Sequence, residues 1–168
     1  MMGELRLRPM ELEDVDLMYQ VENDMSLWHL GSANVPYSHE ILRAFVLNST
    51  GDIFVDKQVR LMLEDGKKQV VGMIDLTDFS PKNMRAEVGI VVLEPFRERG
   101  YATEAIRHLD EYARKVLFMH QLYAYVEIMN EKCLRAFQGN GYQVVTTLSQ
   151  WIRVGENFKD VLMLQKIF

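Results

Sequence analysis

The chain has 168 residues, of which 48% are hydrophobic and 26% charged, and this suits one globular domain over residues 1–168. Its formal net charge of -5 argues against a nucleic-acid partner, because phosphate binding requires clustered Lys and Arg. A lone cysteine, Cys133, excludes an internal disulfide and a thiolate-rich zinc site, and the histidines have no metal-ligand spacing. With no signal peptide and no apolar run of about 18 residues, we expect a cytoplasmic protein without a membrane partner.

The N-terminal third predicts one strand followed by two helices. Residues 5–9 alternate apolar and charged side chains up to a proline, which is typical of a short half-buried strand. Apolar residues at helical spacing predict a helix from Glu11 to about Met25. After a loop that contains Gly, Asn and Pro, Ser38 can cap a second helix.

The middle of the chain changes to the alternation typical of strands. Three strands are predicted over residues 59–63, 70–76 and 86–93. The Asp65-Gly66 pair predicts a tight hairpin between the first two, and Ser80-Pro81-Lys82-Asn83 predicts the second turn.

The C-terminal half alternates helices and strands. Gly100 opens a long helix with one apolar face, and Asn130 can cap another that ends near Gln138. Strands are predicted over residues 121–128, 142–152 and 161–167. The strand–helix–strand crossover from residue 86 to 128 requires a parallel strand pair, whereas the hairpins are antiparallel. We therefore predict an α/β protein with a mixed, mostly antiparallel sheet and helices on both faces.

The segment from Val91 to Ala105 carries the clearest chemical signal. A strand ends at a proline, a short loop carries two arginines, and a glycine opens a helix. The first N–H groups of a helix are free and partly positive, so they can bind a pyrophosphate, and Gly100 allows close approach. The spacing Arg97-x-x-Gly100-x-Ala102 matches neither a Walker P-loop nor a Rossmann fingerprint.

This spacing resembles the signature of the GNAT superfamily, Gln/Arg-x-x-Gly-x-Gly/Ala between a strand and a helix. The resemblance extends to Asn130 after the next strand and to Gly141-Tyr142 after the following helix. The opening residues 5–14, Leu-Arg-Leu-Arg-Pro-Met-Glu-Leu-Glu-Asp, are typical of the branch that contains spermidine and ribosomal-protein N-terminal acetyltransferases. The resemblance implies a GNAT-like fold with one splayed parallel strand pair.

The resemblance also implies an acetyl-CoA-dependent N-acetyltransferase with no metal. Main-chain groups that hold the pantetheine arm and polarise the acetyl carbonyl would come from Ile90, Val91 and Val92. The residues that would surround the pyrophosphate are Arg97, Glu98, Arg99, Gly100, Tyr101, Ala102 and Thr103. Asn130 would bond the coenzyme where the parallel strands splay apart.

Glu87 is the candidate catalytic base. An alkyl amine with a pKa near 10.4 is uncharged in only about one molecule in 10³ at neutral pH, so its proton must be removed. Glu87 resembles the acidic residue that some relatives use for this step. The alternative is a surface charge paired with Arg85 or Lys82.

Phe137 is the one clear departure from the family pattern. Many relatives have a tyrosine there, facing the coenzyme and able to protonate the departing thiolate, whereas phenylalanine has no such proton. Water or another group would then supply it. A non-catalytic acyl-CoA-binding or sensor protein of the same fold is the alternative hypothesis.

The acceptor is left open by the sequence. A polyamine, a protein N-terminus and another small amine all satisfy the expected chemistry. Trp28, His29 and Tyr37 are candidates for an acceptor pocket, with ordinary packing as the alternative. The neutral loop over residues 31–36 argues against a polyamine, because the spermidine branch is acidic there. A homodimer or higher homo-oligomer is compatible with the resemblance.

Overall fold

The computed structural model describes residues 4–30 and 35–168, except for the side chains of residues 28–30. Its strands are Arg6–Pro9 (β1), Val59–Glu64 (β2), Val70–Ser80 (β3), Arg85–Val92 (β4), Gln121–Glu127 (β5), Gln143–Val154 (β6) and Asn157–Ile167 (β7). Its α-helices are Val15–Glu22 (α1), His39–Asn48 (α2), Ile53–Asp56 (α3), Tyr101–Lys115 (α4) and Glu131–Gly139 (α5). Short 3₁₀ helices cover Leu12–Asp14, Met25–Leu30 and Glu94–Phe96.

One seven-stranded sheet has the order β1-β2-β3-β4-β5-β7-β6 within the described residues. Every neighbouring pair is antiparallel except β4 and β5, which are parallel because α4 makes the crossover between them. The predicted fold class, a mixed and mostly antiparallel sheet with one parallel pair, is therefore confirmed.

Helices cover both faces of the sheet, and each face has its own apolar cluster. The larger cluster joins the sheet to α4 and α5 through Ile106, Leu109 and Phe137. The smaller cluster joins β2 and β3 to α1 and α2 and includes Met18, Leu42 and Met62. Each of these fully buried side chains stabilises the fold by about 1.5–3 kcal/mol through removal of apolar surface from water.

Two local features differ from the sequence prediction. The helix α3 was not predicted; it has one turn, begins after Asp52, and the carboxylate of Asp52 accepts the N–H of Phe54 at 2.8 Å. The β2–β3 connection is also wider than a tight hairpin at Gly66. Asp65 accepts the N–H groups of Lys67 and Gln69, each at 2.9 Å, and the left-handed residue is Lys68. The aspartate side chain thus builds a longer turn with its own hydrogen bonds.

A buried carboxylate ties α4 to the two C-terminal strands. Asp110 is 4% exposed and accepts a hydrogen bond from the Tyr142 hydroxyl at 2.7 Å and one from Lys166 Nζ at 2.6 Å. Burial raises the pKa of Asp110, while its contacts with Lys166 and Tyr142 act in the opposite direction. The charge of Asp110 therefore depends on Lys166 for its compensation.

We predict that Lys166→Met destabilises the fold by about 2–4 kcal/mol, because it leaves the buried Asp110 charge without its cation. Lys115→Met is the matched control, since Lys115 is exposed and lies 3.7 Å from an equally exposed Glu111. The control should change the free energy of unfolding by no more than about 0.5 kcal/mol. Denaturant unfolding of both variants measures the difference. Equal losses in the two would contradict the role assigned to Lys166.

Candidate active site

The connection from β4 to α4 places a helix N-terminus directly beyond a strand end. The N–H of Leu93 still bonds to β3, through the carbonyl of Val71 at 2.9 Å. Arg97 then folds back, and its Nε donates to the Val92 carbonyl at 3.0 Å. Gly100 has a φ of 82°, a left-handed conformation that glycine adopts without strain, and it precedes the first residue of α4. The first-turn N–H groups of α4 have no intrahelical acceptors, so they can bind an anion.

A groove of about 780 Å³ runs from the end of β4 past the start of α4 to α5. Among the residues proposed to bind the coenzyme, those that line it are Ile90, Val91, Val92, Arg97, Glu98, Gly100, Tyr101, Ala102, Thr103 and Asn130. The structure therefore brings the signature loop and Asn130 to one site, although they are far apart in sequence.

The parallel pairing of β4 and β5 is short. It joins Arg85 with Gln121, Ala86 with Leu122 and Glu87 with Tyr123, and no later residue of either strand continues it among those described. Both strands go on past this point, β4 paired with β3 and β5 paired with β7. The β4 edge that faces β5 is consequently unpaired from Val88 to Val92. An extended chain with amide groups can hydrogen-bond to such an edge.

Glu87 lies at the point where the two strands separate. Its side chain is half-buried, and its pKa is raised, first by burial and then by the negative charge of Asp78. Within the described part of the chain, no ion pair joins Glu87 to Arg85 or Lys82. A carboxylate with a raised pKa that lacks a counter-ion is suited to accept a proton.

Asn130 has a structural role as well as a place in the groove. Its side-chain oxygen caps α5 by accepting the N–H of Cys133 at 3.2 Å. Cys133 also lines the groove, and burial raises the pKa of its thiol to about 11. The thiol is therefore protonated at neutral pH and does not act as a nucleophile.

Two of the residues expected to contact the coenzyme are not part of the groove lining. The Phe137 ring is 2% exposed and packs edge-on against Tyr142, with 5.0 Å between ring centroids. It belongs to the core, because α5 turns that position towards the sheet. Arg99 points to Phe96 instead, with its guanidinium 5.7 Å from the ring centroid.

The groove also contains residues that the sequence analysis did not identify. Lys132 and Arg135 line it from α5, and Lys132 forms an ion pair with Glu98 across the mouth. Their spacing of three residues puts both cations on one face of α5, but the sequence does not indicate what that face lies against. Ser26 and Leu27 line the groove from the connection after α1, and no motif marks them.

The rest of the described structure gives weaker indications of a functional site. A cavity of about 920 Å³ beside β1 and β2 is larger, yet it contains none of the predicted site residues. The charged groups Arg60 and Glu64 that line it already form ion pairs, Arg60 with Asp75 and Glu64 with Arg8. No group of three or more metal-ligating side chains occurs among residues 4–27 and 35–168. No helix in the described part of the chain is long and apolar enough to cross a bilayer.

The fold and sequence are similar to those of known acetyltransferases. Spermidine N(1)-acetyltransferase of Escherichia coli (strain K12) is 26% identical over 164 residues, which cover 95% of this chain and 84% of that protein. The crystal structure of spermidine N-acetyltransferase from Vibrio cholerae in complex with CoA and spermine superposes with a TM-score of 0.85 at 20% identity, covering 97% of this chain and 95% of that one. A dodecameric structure of the Vibrio cholerae enzyme gives a TM-score of 0.81 at 23% identity, with 97% and 93% covered.

The family model described as "Acetyltransferase (GNAT) domain" matches residues 4–143. The match includes β4, the signature loop, α4 and α5, which together form the groove. The chain belongs to the GNAT acetyltransferase family and is an N-acetyltransferase that transfers the acetyl group of acetyl-CoA to a primary amine.

Proposed function

We propose that the acceptor is a polyamine, that Glu87 is the base, and that the groove between α4 and α5 binds acetyl-CoA. The observation that carries the proposal is the unpaired edge of β4, which leads directly to the N-terminus of α4. The edge can hydrogen-bond to the amides of the pantetheine arm, and the helix N-terminus can bind the pyrophosphate. Adjacent parts of the structure can therefore bind the two halves of one coenzyme.

The residues of the groove fit the charge of the coenzyme. Three cations, Arg97, Lys132 and Arg135, outnumber the one acid of the lining, Glu98, which pairs with Lys132. Gly100 allows the main chain to approach a phosphate closely. Main-chain groups of Ile90 to Val92 that point to the unpaired edge would bond the pantetheine amides and polarise the acetyl carbonyl, although the Val92 carbonyl already accepts Arg97 Nε. Among the described residues no acceptor bonds the amide N–H₂ of Asn130, so this group can serve the coenzyme while the oxygen caps α5.

The acceptor side of β4 is acidic. Glu87 and Asp78 lie close enough for each charge to influence the other, and both attract a cationic amine. The spermidine N-acetyltransferases among the similar proteins also support a polyamine. The neutral loop over residues 31–36 remains the argument against it, and residues 31–34 of that loop, with the side chains of Trp28 and His29, lie outside the described residues.

The chemistry requires two proton transfers. Glu87 accepts the proton of the bound ammonium, and the freed nitrogen attacks the carbonyl carbon of the thioester. The new C–N bond forms, the C–S bond breaks, and the nitrogen loses a second proton while the thiolate takes one up. Phe137 has no proton to donate, so we assign this last transfer to water in the open groove. The family match and the similar enzymes favour this catalytic function over a non-catalytic acyl-CoA sensor.

Homo-oligomerisation is supported by the edge of the sheet. The strand β6 pairs only with β7 among the described residues, and most of its side chains are exposed. Its exposed apolar side chains include Val144, Val145 and Trp151. Such an edge is suited to pairing with a second copy. The dodecamer formed by the similar Vibrio cholerae enzyme also supports this proposal.

We predict that Gly100→Glu weakens acetyl-CoA binding by about tenfold or more, because it adds a negative charge and a strained backbone beside the proposed pyrophosphate site. Gly155→Glu is the matched control. Gly155 also has a positive φ, 63°, and no atom lies within 4 Å of the position of an added Cβ. Calorimetric titration of both variants with acetyl-CoA provides the comparison. If both bind as the wild type does, the assignment of the loop is wrong.

A second prediction concerns the base. Glu87→Gln should lower the acetylation rate by about 10²-fold or more while acetyl-CoA affinity stays near the wild-type value. The base acts as a carboxylate, which predominates above its pKa. As the pH is lowered, Glu87 becomes protonated and wild-type kcat/KM should fall. Because burial raises the pKa of Glu87, the midpoint of this fall should lie above the ordinary range for a glutamate. Steady-state kinetics across pH tests both points. Full activity with an unchanged pH profile would identify Glu87 as a surface charge.

A third prediction separates the acceptors. Thiol release from acetyl-CoA should be fastest with spermidine or spermine, slower with butylamine, and slowest with a peptide that offers only a free N-terminus. The reason is that Asp78 and Glu87 favour an acceptor with more than one positive charge. Peptide as the preferred acceptor would contradict the polyamine proposal. Acetyl-CoA binding without thiol release for any amine would support the sensor alternative.

A further inference from the structure

A hydrogen bond crosses the central strand of the site beside Glu87. In the sheet, Glu87 of β4 lies opposite Thr77 of β3 on one side and Tyr123 of β5 on the other. The hydroxyl of Tyr123 donates to Asp78 Oδ2 at 2.5 Å. A side chain from β5 therefore reaches a residue of β3 over the strand that carries the proposed base.

The backbone at Asp78 makes this contact possible. Its φ is 49°, and the register between β3 and β4 shifts between Thr77 and Ser80, as in a β-bulge. In a regular strand, consecutive side chains point to opposite faces of the sheet, so the Asp78 side chain would point away from the face that carries Thr77 and Glu87. The bulge breaks this alternation and brings the Asp78 carboxylate to the face of Glu87 and Tyr123. Aspartate is among the residues that tolerate a left-handed backbone.

Of the two aspartates near Glu87, Asp75 has a counter-ion and Asp78 has none among the described residues. The same face carries Arg85 on β4, Asp75 and Asp78 on β3, and Tyr123 and Tyr125 on β5. Asp75 is neutralised by Arg60, whose Nε and Nη2 lie 2.9 and 2.8 Å from its oxygens. Asp78 has no ion pair within the described chain, and its hydrogen bond comes from a neutral hydroxyl.

We infer that Asp78, held by Tyr123, is a positioning residue of the acceptor site, whose negative charge keeps the Glu87 carboxylate strongly basic. The inference rests on the proposed role of Glu87. Burial and the charge of Asp78 both raise the pKa of Glu87, which agrees with this geometry. A stronger base is better matched to an ammonium proton, so the nearby charge should assist the transfer.

The direct test is a ¹³C NMR titration of the Glu87 carboxyl in the protein without ligands, with the resonance assigned from its loss in Glu87→Gln. Asp78→Asn removes the charge but keeps an oxygen for the Tyr123 hydroxyl. Its Glu87 titration midpoint should move to lower pH by about half a pH unit or more. Tyr123→Phe, which frees the Asp78 carboxylate to rotate away, should give a smaller shift in the same direction. Glu111→Gln, a charge change on the exposed face of α4, should leave the midpoint unchanged.

The pH profile of kcat/KM with spermidine provides a second measurement. In Asp78→Asn, the fall in activity on the acid side should move to lower pH together with the NMR midpoint. A loss of rate in Glu87→Gln, with unchanged midpoints in Asp78→Asn, would overturn the role of Asp78 and leave the base assignment standing. Full activity in Glu87→Gln would instead overturn the base assignment, whatever Asp78 does to the titration.

Discussion

The divergence of β4 from β5 is the constraint on which the site depends. The crossover through α4 requires the two strands to be parallel, yet only three residue pairs connect them. Because β4 continues to pair with β3 and β5 with β7, each strand keeps one fully bonded edge after they separate. The opposite edges are left with main-chain donors and acceptors that need a partner. In the proposed binding mode, the amides of the coenzyme arm provide that partner and extend the sheet.

The same divergence separates charges of opposite sign. The groove on the side of α4 and α5 contains three cations, Arg97, Lys132 and Arg135, and one acid, Glu98. The face of Glu87 carries Asp78 as a second acid and Arg85 as a cation. On the proposed assignment, a polyanionic donor and a cationic acceptor are drawn to different parts of the site. Each substrate would then be repelled by the subsite of the other, which would disfavour misplaced binding.

Most of the fold could be predicted from local patterns. Alternating apolar residues located β2, β3 and β4, and the cap at Ser38 located α2, because these signals act over a few residues. The one-turn helix α3 was missed because four residues are too few to show a helical period. In the β2–β3 turn, hydrogen bonds to the Asp65 side chain stabilise a longer loop, and the left-handed residue is Lys68 instead of Gly66. The signature loop and Asn130 were located through the family resemblance rather than through physical periodicity.

The parts of the site that could not be predicted are those that depend on contacts between distant residues. Asp78 and Tyr123 are 45 positions apart, and only the bulge in β3 brings them together. The burial of Phe137 follows from the rotation of α5 against the sheet, which a motif alignment does not specify. Lys132 and Arg135 are ordinary surface cations by sequence and become groove residues only through the placement of α5.

The buried thiol of Cys133 has a consequence for the chemical durability of the protein. In the proposed binding mode, the reaction releases a free thiol into the groove that Cys133 lines, and oxidised coenzyme carries a disulfide. Attack on a disulfide requires a thiolate, and with a pKa of about 11 Cys133 is ionised in only about one molecule in 10⁴ at neutral pH. We therefore expect exchange between the protein and oxidised coenzyme to be slow, which would protect the groove from covalent blockage under oxidising conditions.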